Sequence, residues 1–188
     1  MLVASRVVRR VSVVGNSGSG KSRLGRELAT VLGVPFVELD AIFHQPGWVP
    51  LPDAEFTARV EAAAAADGWV IDGNYSTVRP VVWRRADTVI WFDLPRRTVM
   101  RQVVLRTIRR AVTRAELWNG NREPWRNFFS RDPEKSIIAW AWVSYAKNRD
   151  RWRAAAADPA YAHLTFVRVA SRADARRVVA SGRQPSLR

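Results

Sequence analysis

The chain contains no cysteine, and only two histidines and two methionines among 188 residues. Without cysteine there is no disulfide framework, no thiol nucleophile and no thiolate zinc site, and a reducing compartment suits it. His44 and His163 lie far apart in the sequence and give no transition-metal constellation. No apolar run approaches the roughly 18 residues of a membrane span. Met1–Arg10 lacks the apolar core and small-residue cleavage pattern of a secretory leader, so the expected location is the cytoplasm. Lysine is also scarce: Lys21, Lys135 and Lys147 are the whole set, and arginine carries nearly all the positive charge.

What is present points to a packed globule. A hydrophobic fraction of 47% is too high for a disordered chain, and the length predicts one domain over residues 1–188. The net charge is +14, but it is unevenly placed. Residues 1–95 hold 10 basic and 10 acidic side chains, whereas residues 96–188 hold 21 basic and 7 acidic. Such asymmetry suits a polyanionic partner: substrate phosphates, nucleic acid or an acidic surface. Codon bias toward arginine would explain its excess over lysine, and explains less well why it gathers in one half.

The sharpest signal is Gly15-Asn16-Ser17-Gly18-Ser19-Gly20-Lys21-Ser22, a complete G-x-x-x-x-G-K-S phosphate-binding loop. It follows the β-branched run Val11–Val14 and opens into an amphipathic stretch from Leu24 to Leu32, the strand–loop–helix context the motif requires. Its glycines let successive N–H groups point at phosphate oxygens, and the helix that follows adds its positive dipole end. Lys21 is expected on the β/γ-phosphates of ATP and Ser22 on Mg²⁺, with Gly15 through Arg23 around the nucleotide.

Strand and helix signals alternate along the rest of the chain. Strands are predicted at Val7–Val14, Phe36–Leu39, Trp69–Ile71, Thr88–Phe92 and Leu164–Val169. Helices are predicted at Lys21–Leu32, Ala54–Ala66 with Asp53 as cap, from Pro95 onward, at Glu134–Ala157 and at Asp174–Ala180, before a loose tail at 181–188. Five short apolar strands separated by helices imply a parallel sheet covered on both faces, an α/β fold. Ligands bind such sheets beyond the carboxyl ends of the strands. Asp40, Asp72 and Asp93 all fall at strand ends, on the edge that carries the phosphate loop. Asp93, two residues before Pro95, reads as a helix cap; Asp40 and Asp72 are less well explained by capping.

Five stretches, GNSGSGKS (15–22), VPFVELDAIFHQPGW (34–48), WVIDGNYS (69–76), residues 86–110 and WNGNREPW (118–125), resemble the nucleoside- and nucleotide-kinase group of P-loop proteins. More narrowly they resemble the small bacterial proteins labelled topology-modulation or adenylate-kinase-related. The resemblance covers most of residues 8–150. It implies a three-layer kinase-like fold with strand order 2-3-1-4-5, an acceptor-binding segment near residues 41–66, an arginine-bearing lid near 106–133, and ATP with Mg²⁺. It implies that Asp40 contacts the acceptor or its metal, and that Asp72 acts near Mg²⁺ through water. Adenylate kinases continue this Asp-Gly pair with Phe-Pro-Arg, whereas Gly73 is followed here by Asn74-Tyr75-Ser76, so AMP is not the expected acceptor.

Phosphoryl transfer needs positive charge that does not titrate around the moving group, and arginine supplies it. Arg106, Arg109 and Arg110 share one side of a helix just before the Gly/Asn/Trp segment and are the candidate lid arginines. Arg122 is a candidate finger at the loop tip. Phe43, Trp48, Gly73, Asn74, Tyr75 and Arg79 are the candidate acceptor-side residues, with aromatics to stack a base or sugar and Arg79 to hold an acidic group. His44 is placed to assist proton removal. Trp69, Trp83 and Trp91 read as core, and only one of Trp140 and Trp142 can face inward. The expected activity is transfer of the γ-phosphoryl of ATP to a nucleoside, nucleotide or other hydroxyl-bearing metabolite. The alternative is a P-loop NTPase that binds DNA or RNA through its basic half, although no helix-turn-helix, zinc finger or RNA-binding signature is found.

Overall fold

The five strands form one parallel sheet in the order β2-β3-β1-β4-β5. They are β1 (Arg10–Gly15), β2 (Phe36–Glu38), β3 (Trp69–Asp72), β4 (Thr88–Phe92) and β5 (Thr165–Val169). The structure is a computed structural model, and it describes residues 8–122, 132 and 136–182. Among the described residues the α-helices are α1 (Lys21–Leu32), α2 (Leu39–Phe43), α3 (Asp53–Ala64), α4 (Arg79–Arg85), α5 (Arg96–Thr113), α6 (Ile137–Ala157) and α7 (Arg172–Gly182). The fold class and strand order expected from the sequence are those observed. Part of the expected lid (123–131 and 133) and the end of the expected tail (183–188) lie outside the described residues; Ser181 and Gly182 close α7.

Alternation along β1 explains how one strand serves two cores. Val11 and Val13 face a core built with Leu24 and Leu28 of α1, Val99 and Val103 of α5, and Val179 of α7. Val14 faces the opposite core, with Phe56 and Val60 of α3, Trp83 of α4 and Trp152 of α6. Both faces of the parallel sheet are thus covered, which is why its central strands read as continuous apolar runs. Each fully buried Val, Phe or Trp contributes on the order of 1.5–3 kcal/mol. Trp69, Trp83 and Trp91 are buried, as expected.

Four local expectations are corrected. Strand β2 stops at Glu38, and Asp40 sits in the first turn of α2 instead of ending the strand. At that turn Leu39 enters the core, packed so close to Gly73 that a Cβ on Gly73 would lie 2.7 Å from it, and Asp40 follows one residue later on the helix. Pro52 takes the cap position of α3, with Asp53 the first helical residue. Its charge meets the helix dipole and no backbone N–H. Asp93 does not cap α5, whose cap is Pro95. Its carboxylate turns inward to Arg149 Nε at 2.7 Å and Arg168 Nη2 at 2.6 Å, because a buried charge is stable only when paired. Finally, Trp140 and Trp142 are both about half exposed. The inward stripe of α6 is Ala141, Ser144, Tyr145, Trp152 and Ala155, and the two tryptophans flank its first member. The Arg96 guanidinium covers Trp142 at 3.5 Å from the ring centre.

Candidate active site

Every strand runs with its carboxyl end toward one edge, and the loop Gly15–Ser22 leaves β1 there. Gly20 caps α1 with φ +97°, a left-handed conformation that L side chains rarely adopt. Gly18, at φ +75°, has no room either: a Cβ there would sit 2.4 Å from Val103 of α5. Two asparagines hold the loop from outside. Asn74, just beyond β3, accepts from the Gly15 N–H at 3.1 Å and donates to the Gly15 carbonyl. Asn148 of α6 donates to the Asn16 side chain at 3.0 Å. The Lys21 ammonium arches back to the Asn16 carbonyl, 3.1 Å away.

Beside the loop stands Asp72, 4% exposed at the end of β3. Ser22 Oγ donates to its Oδ2 at 2.5 Å, while its buried Oδ1 has no hydrogen-bond partner among the described residues. Burial pushes the Asp72 carboxyl up to about 6; Lys21 and the Ser22 hydroxyl oppose this, and Asp40 and Glu38 add to it. A hydroxyl on one oxygen and a bare second oxygen form a donor set for a hard cation that keeps most of its water and phosphate ligands. That is the habit of Mg²⁺, so these residues fit it. No larger cluster of acidic or histidine ligands occurs among the described residues.

The acceptor side is assembled from three segments. Asp40 Oδ1 accepts from the Tyr75 hydroxyl at 2.6 Å, and that hydroxyl lies 3.5 Å from His44 Nε2. Burial and the neighbouring Asp40 charge push the Tyr75 phenol far up, so it stays a donor. Burial lowers His44, opposed by Asp40. Phe43 packs on Tyr75 at 4.8 Å and on Phe56 at 5.1 Å. The third segment is the start of WNGN. Asn121 Oδ1 accepts from the Trp48 N–H at 2.9 Å, and Asn121 Nδ2 donates to the Gln45 carbonyl at 2.9 Å. Asn119 donates to the carbonyls of Ala41 and His44, at 3.0 and 2.5 Å. Trp48 Nε1 donates to the Arg122 carbonyl at 3.1 Å, and Trp118 stacks on His44 at 6.0 Å. The base of the expected lid is therefore tied to the expected acceptor segment.

Not every candidate residue converges. Asn74 is engaged by Gly15 and holds the loop, which is a different part from an acceptor ligand. Arg23 points to the surface and pairs with Glu27. Arg122 faces Glu116 at 3.7 Å. Arg106 and Arg110 lie partly buried on α5, with Arg109 exposed beside them. Arg79 opens α4 over the rings of Trp83 and Trp152. Asn148 was missed, because it is 132 residues from its partner Asn16 and nothing in the local pattern marks it.

A scan against family models finds no match. The chain is 41% identical over 64 residues to a shikimate kinase of Halorhodospira halophila, a stretch covering 32% of this chain and 36% of that protein. Such matches span only 26% to 36% of the curated relatives' own lengths. Among solved structures, the chain is similar to a shikimate kinase from Acinetobacter baumannii in complex with shikimate. There the TM-score is 0.57 at 15% identity, covering 95% of this chain and 92% of that one. A gluconokinase from Sinorhizobium meliloti gives a TM-score of 0.54 at 20% identity, covering 94% and 92%. At these identities the likeness establishes the fold, which is that of P-loop kinases. It leaves the narrower topology-modulation resemblance without support. Among the described residues no helix is long and apolar enough to cross a membrane.

Proposed function

We propose that this chain is an ATP-dependent phosphotransferase acting on a hydroxyl of a small molecule. The observation that carries the reading is Ser22 on Asp72, with a bare carboxylate oxygen, at the mouth of a complete phosphate loop and with Asp40 on the same edge. In this reading the N–H groups of Gly15–Lys21 and the start of α1 bind the β- and γ-phosphates. Ser22 and Asp72 hold Mg²⁺, the latter through water; the bound cation would neutralise charge on the phosphates. Lys21 reaches from Asn16 to the transferring group, and Arg106, Arg109 and Arg110 add charge from α5.

Asp40 orients the acceptor hydroxyl and takes its proton. The hydroxyl oxygen forms a bond to the γ-phosphorus as the bond from that phosphorus to the bridging oxygen of ADP breaks. Tyr75 donates to Asp40 Oδ1, which fixes the carboxylate and leaves Oδ2 for the substrate. Such catalysis is mostly positioning and charge neutralisation, so few groups are needed.

The test is a screen of hydroxyl-bearing metabolites with ATP and Mg²⁺, with Lys21→Ala as control. Lys21-dependent formation of a phosphorylated acceptor is expected. ADP release that no acceptor accelerates would overturn the reading.

A further inference from the structure

The main-chain ladder between β1 and β3 ends at Gly73. It pairs Val13 with Asp72, and its last rung runs from the Gly73 N–H to the Val13 carbonyl at 3.3 Å. In a parallel ladder the next residue of β1 to turn both its backbone groups toward β3 is Gly15, and the same register sets it opposite residue 74. Gly73, at φ +154°, turns the chain out of the strand at this point. The Asn74 carboxamide closes the rung instead. Its Oδ1 accepts from the Gly15 N–H at 3.1 Å, and its Nδ2 donates to the Gly15 carbonyl. One side-chain amide thus stands in for a peptide group and holds both backbone groups of the first loop residue. Gly15 is also packed against β4, where a Cβ would lie 2.6 Å from that of Phe92.

Tyr75, the next residue, belongs to the acceptor side. Its hydroxyl donates to Asp40 Oδ1 at 2.6 Å, and its ring packs on Phe43 at 4.8 Å and on Phe56 at 5.1 Å. Two residues before Asn74, Asp72 accepts from the Ser22 hydroxyl. Residues 72–75 therefore touch both ends of the phosphate loop, Gly15 and Ser22, and the carboxylate assigned to the acceptor hydroxyl. The other outside support of the loop leads elsewhere. Asn148 holds the Asn16 side chain at 3.0 Å, but it lies on α6, and its neighbour Arg149 is engaged by Asp93.

We propose that Asn74 and Tyr75 are positioning residues, a bracket that fixes the phosphate loop relative to Asp40 and transmits occupancy of the loop to the acceptor side. This rests on the kinase reading above and adds to it a coupling between its two subsites. Phosphates on the N–H groups of the loop restrain Gly15. Through one side chain and one peptide link that restraint reaches the Tyr75 hydroxyl. Transfer needs the reacting atoms held about 3–3.5 Å apart, and a slack link would lose that geometry while each half still bound its ligand.

The experiment reads hydrogen exchange across α2 and His44 in the full chain, with and without the non-hydrolysable imido analogue of ATP and Mg²⁺. The His44 N–H, on the Asp40 carbonyl at 3.0 Å, is one of the amides in this window. Calorimetry on each protein sets the analogue at saturation. The analogue should slow exchange there about 5- to 100-fold, the range of an ordinary coupling between sites. Asn74→Ala and Tyr75→Phe should each remove most of that slowing. The double variant should lose no more than either alone, because both break one path. Asn148→Ala loosens the same loop by one hydrogen bond and should keep the slowing. The readout is the ratio of rates with and without analogue. A merely structural loss would raise both rates together and leave the ratio unchanged. Tyr75→Phe removes one oxygen and keeps the ring packing, so it decides the matter if Asn74→Ala does not fold. No slowing in the unsubstituted protein, slowing retained in a folded Asn74→Ala or Tyr75→Phe protein, or an equal loss in Asn148→Ala would overturn the proposal and leave the kinase reading standing. Failure of the unsubstituted protein to bind the analogue would overturn both.

Discussion

The phosphate loop and the acceptor side occupy the same sheet edge but are built in opposite ways. The loop is eight consecutive residues, shaped by positive-φ glycines and opening directly into α1. Its outside supports, Asn74 and Asn148, come from distant segments and touch only its first two residues. The acceptor side has no such continuous core. Asp40, Tyr75, His44 and Trp118 come from three segments; two asparagines tie the Trp118 segment to that of Asp40 and His44, and the Tyr75 hydroxyl joins the third through Asp40. Contiguous backbone gives a rigid cradle for a constant group, the polyphosphate. A side-chain assembly can be changed residue by residue, which suits the part that sets specificity.

That contrast orders the expected effects. Lys21→Ala should be the most damaging: loss of one charge-stabilising group costs on the order of 10²–10³ in rate. Steady-state ADP formation checks it, and wild-type turnover by a folded variant would remove the loop from catalysis. Asp40→Asn should slow transfer while leaving ATP affinity near wild type, measured by kcat at saturation and by nucleotide titration. A parallel loss of ATP affinity would erase the division between the two regions.

Asp72 lies between the regions and gives a pH test. Its carboxyl is raised in the folded chain to about 6 from an ordinary 3.8, so the folded state holds the proton more tightly. The associated stability is present below about pH 4 and is lost as pH rises through 6, an effect of roughly 3 kcal/mol at most. Asp72→Asn should therefore raise the nucleotide-free melting temperature at pH 8, with the gain vanishing near pH 4, while Mg²⁺-dependent turnover falls. Thermal melts at both pH values decide it, and an equal gain at pH 4 would mean that burial of charge is not the cause.

Removing the clasp with Asn119→Ala and Asn121→Ala should cost about 1 kcal/mol per hydrogen bond lost. It should weaken acceptor binding more than ATP binding; a purely ATP-side defect would show that residues 117–122 serve the loop. The smallest expected effect is that of duplex DNA near physiological ionic strength, which should not stimulate ATP turnover. Charge alone binds DNA at low salt, so several-fold stimulation at physiological salt is the outcome that would favour a nucleic-acid-dependent NTPase.

Much of this protein was legible in the chain itself. The glycine spacing of 15–22, the β-branched run before it and the amphipathic run after it are local signals, and local signals determine a strand–loop–helix unit. Alternating apolar strands and helices determine a covered parallel sheet for the same reason, and with it the edge where Asp40 and Asp72 gather. What required tertiary structure was the partner of each polar group. Asp93 looked like a cap because a proline followed it, yet three arginines from α6 and β5 compete for it. Asn74 looked like an acceptor ligand and holds Gly15 across 59 residues. Part of the basic excess engages the chain itself, on Asp93 and on tryptophan faces, and among the described residues no carboxylate pairs with Arg79 or Arg151. Secondary structure follows from neighbours in sequence, but charge compensation depends on which side chains packing brings within a few ångströms. That is decided only when the sheet and its covering helices close together.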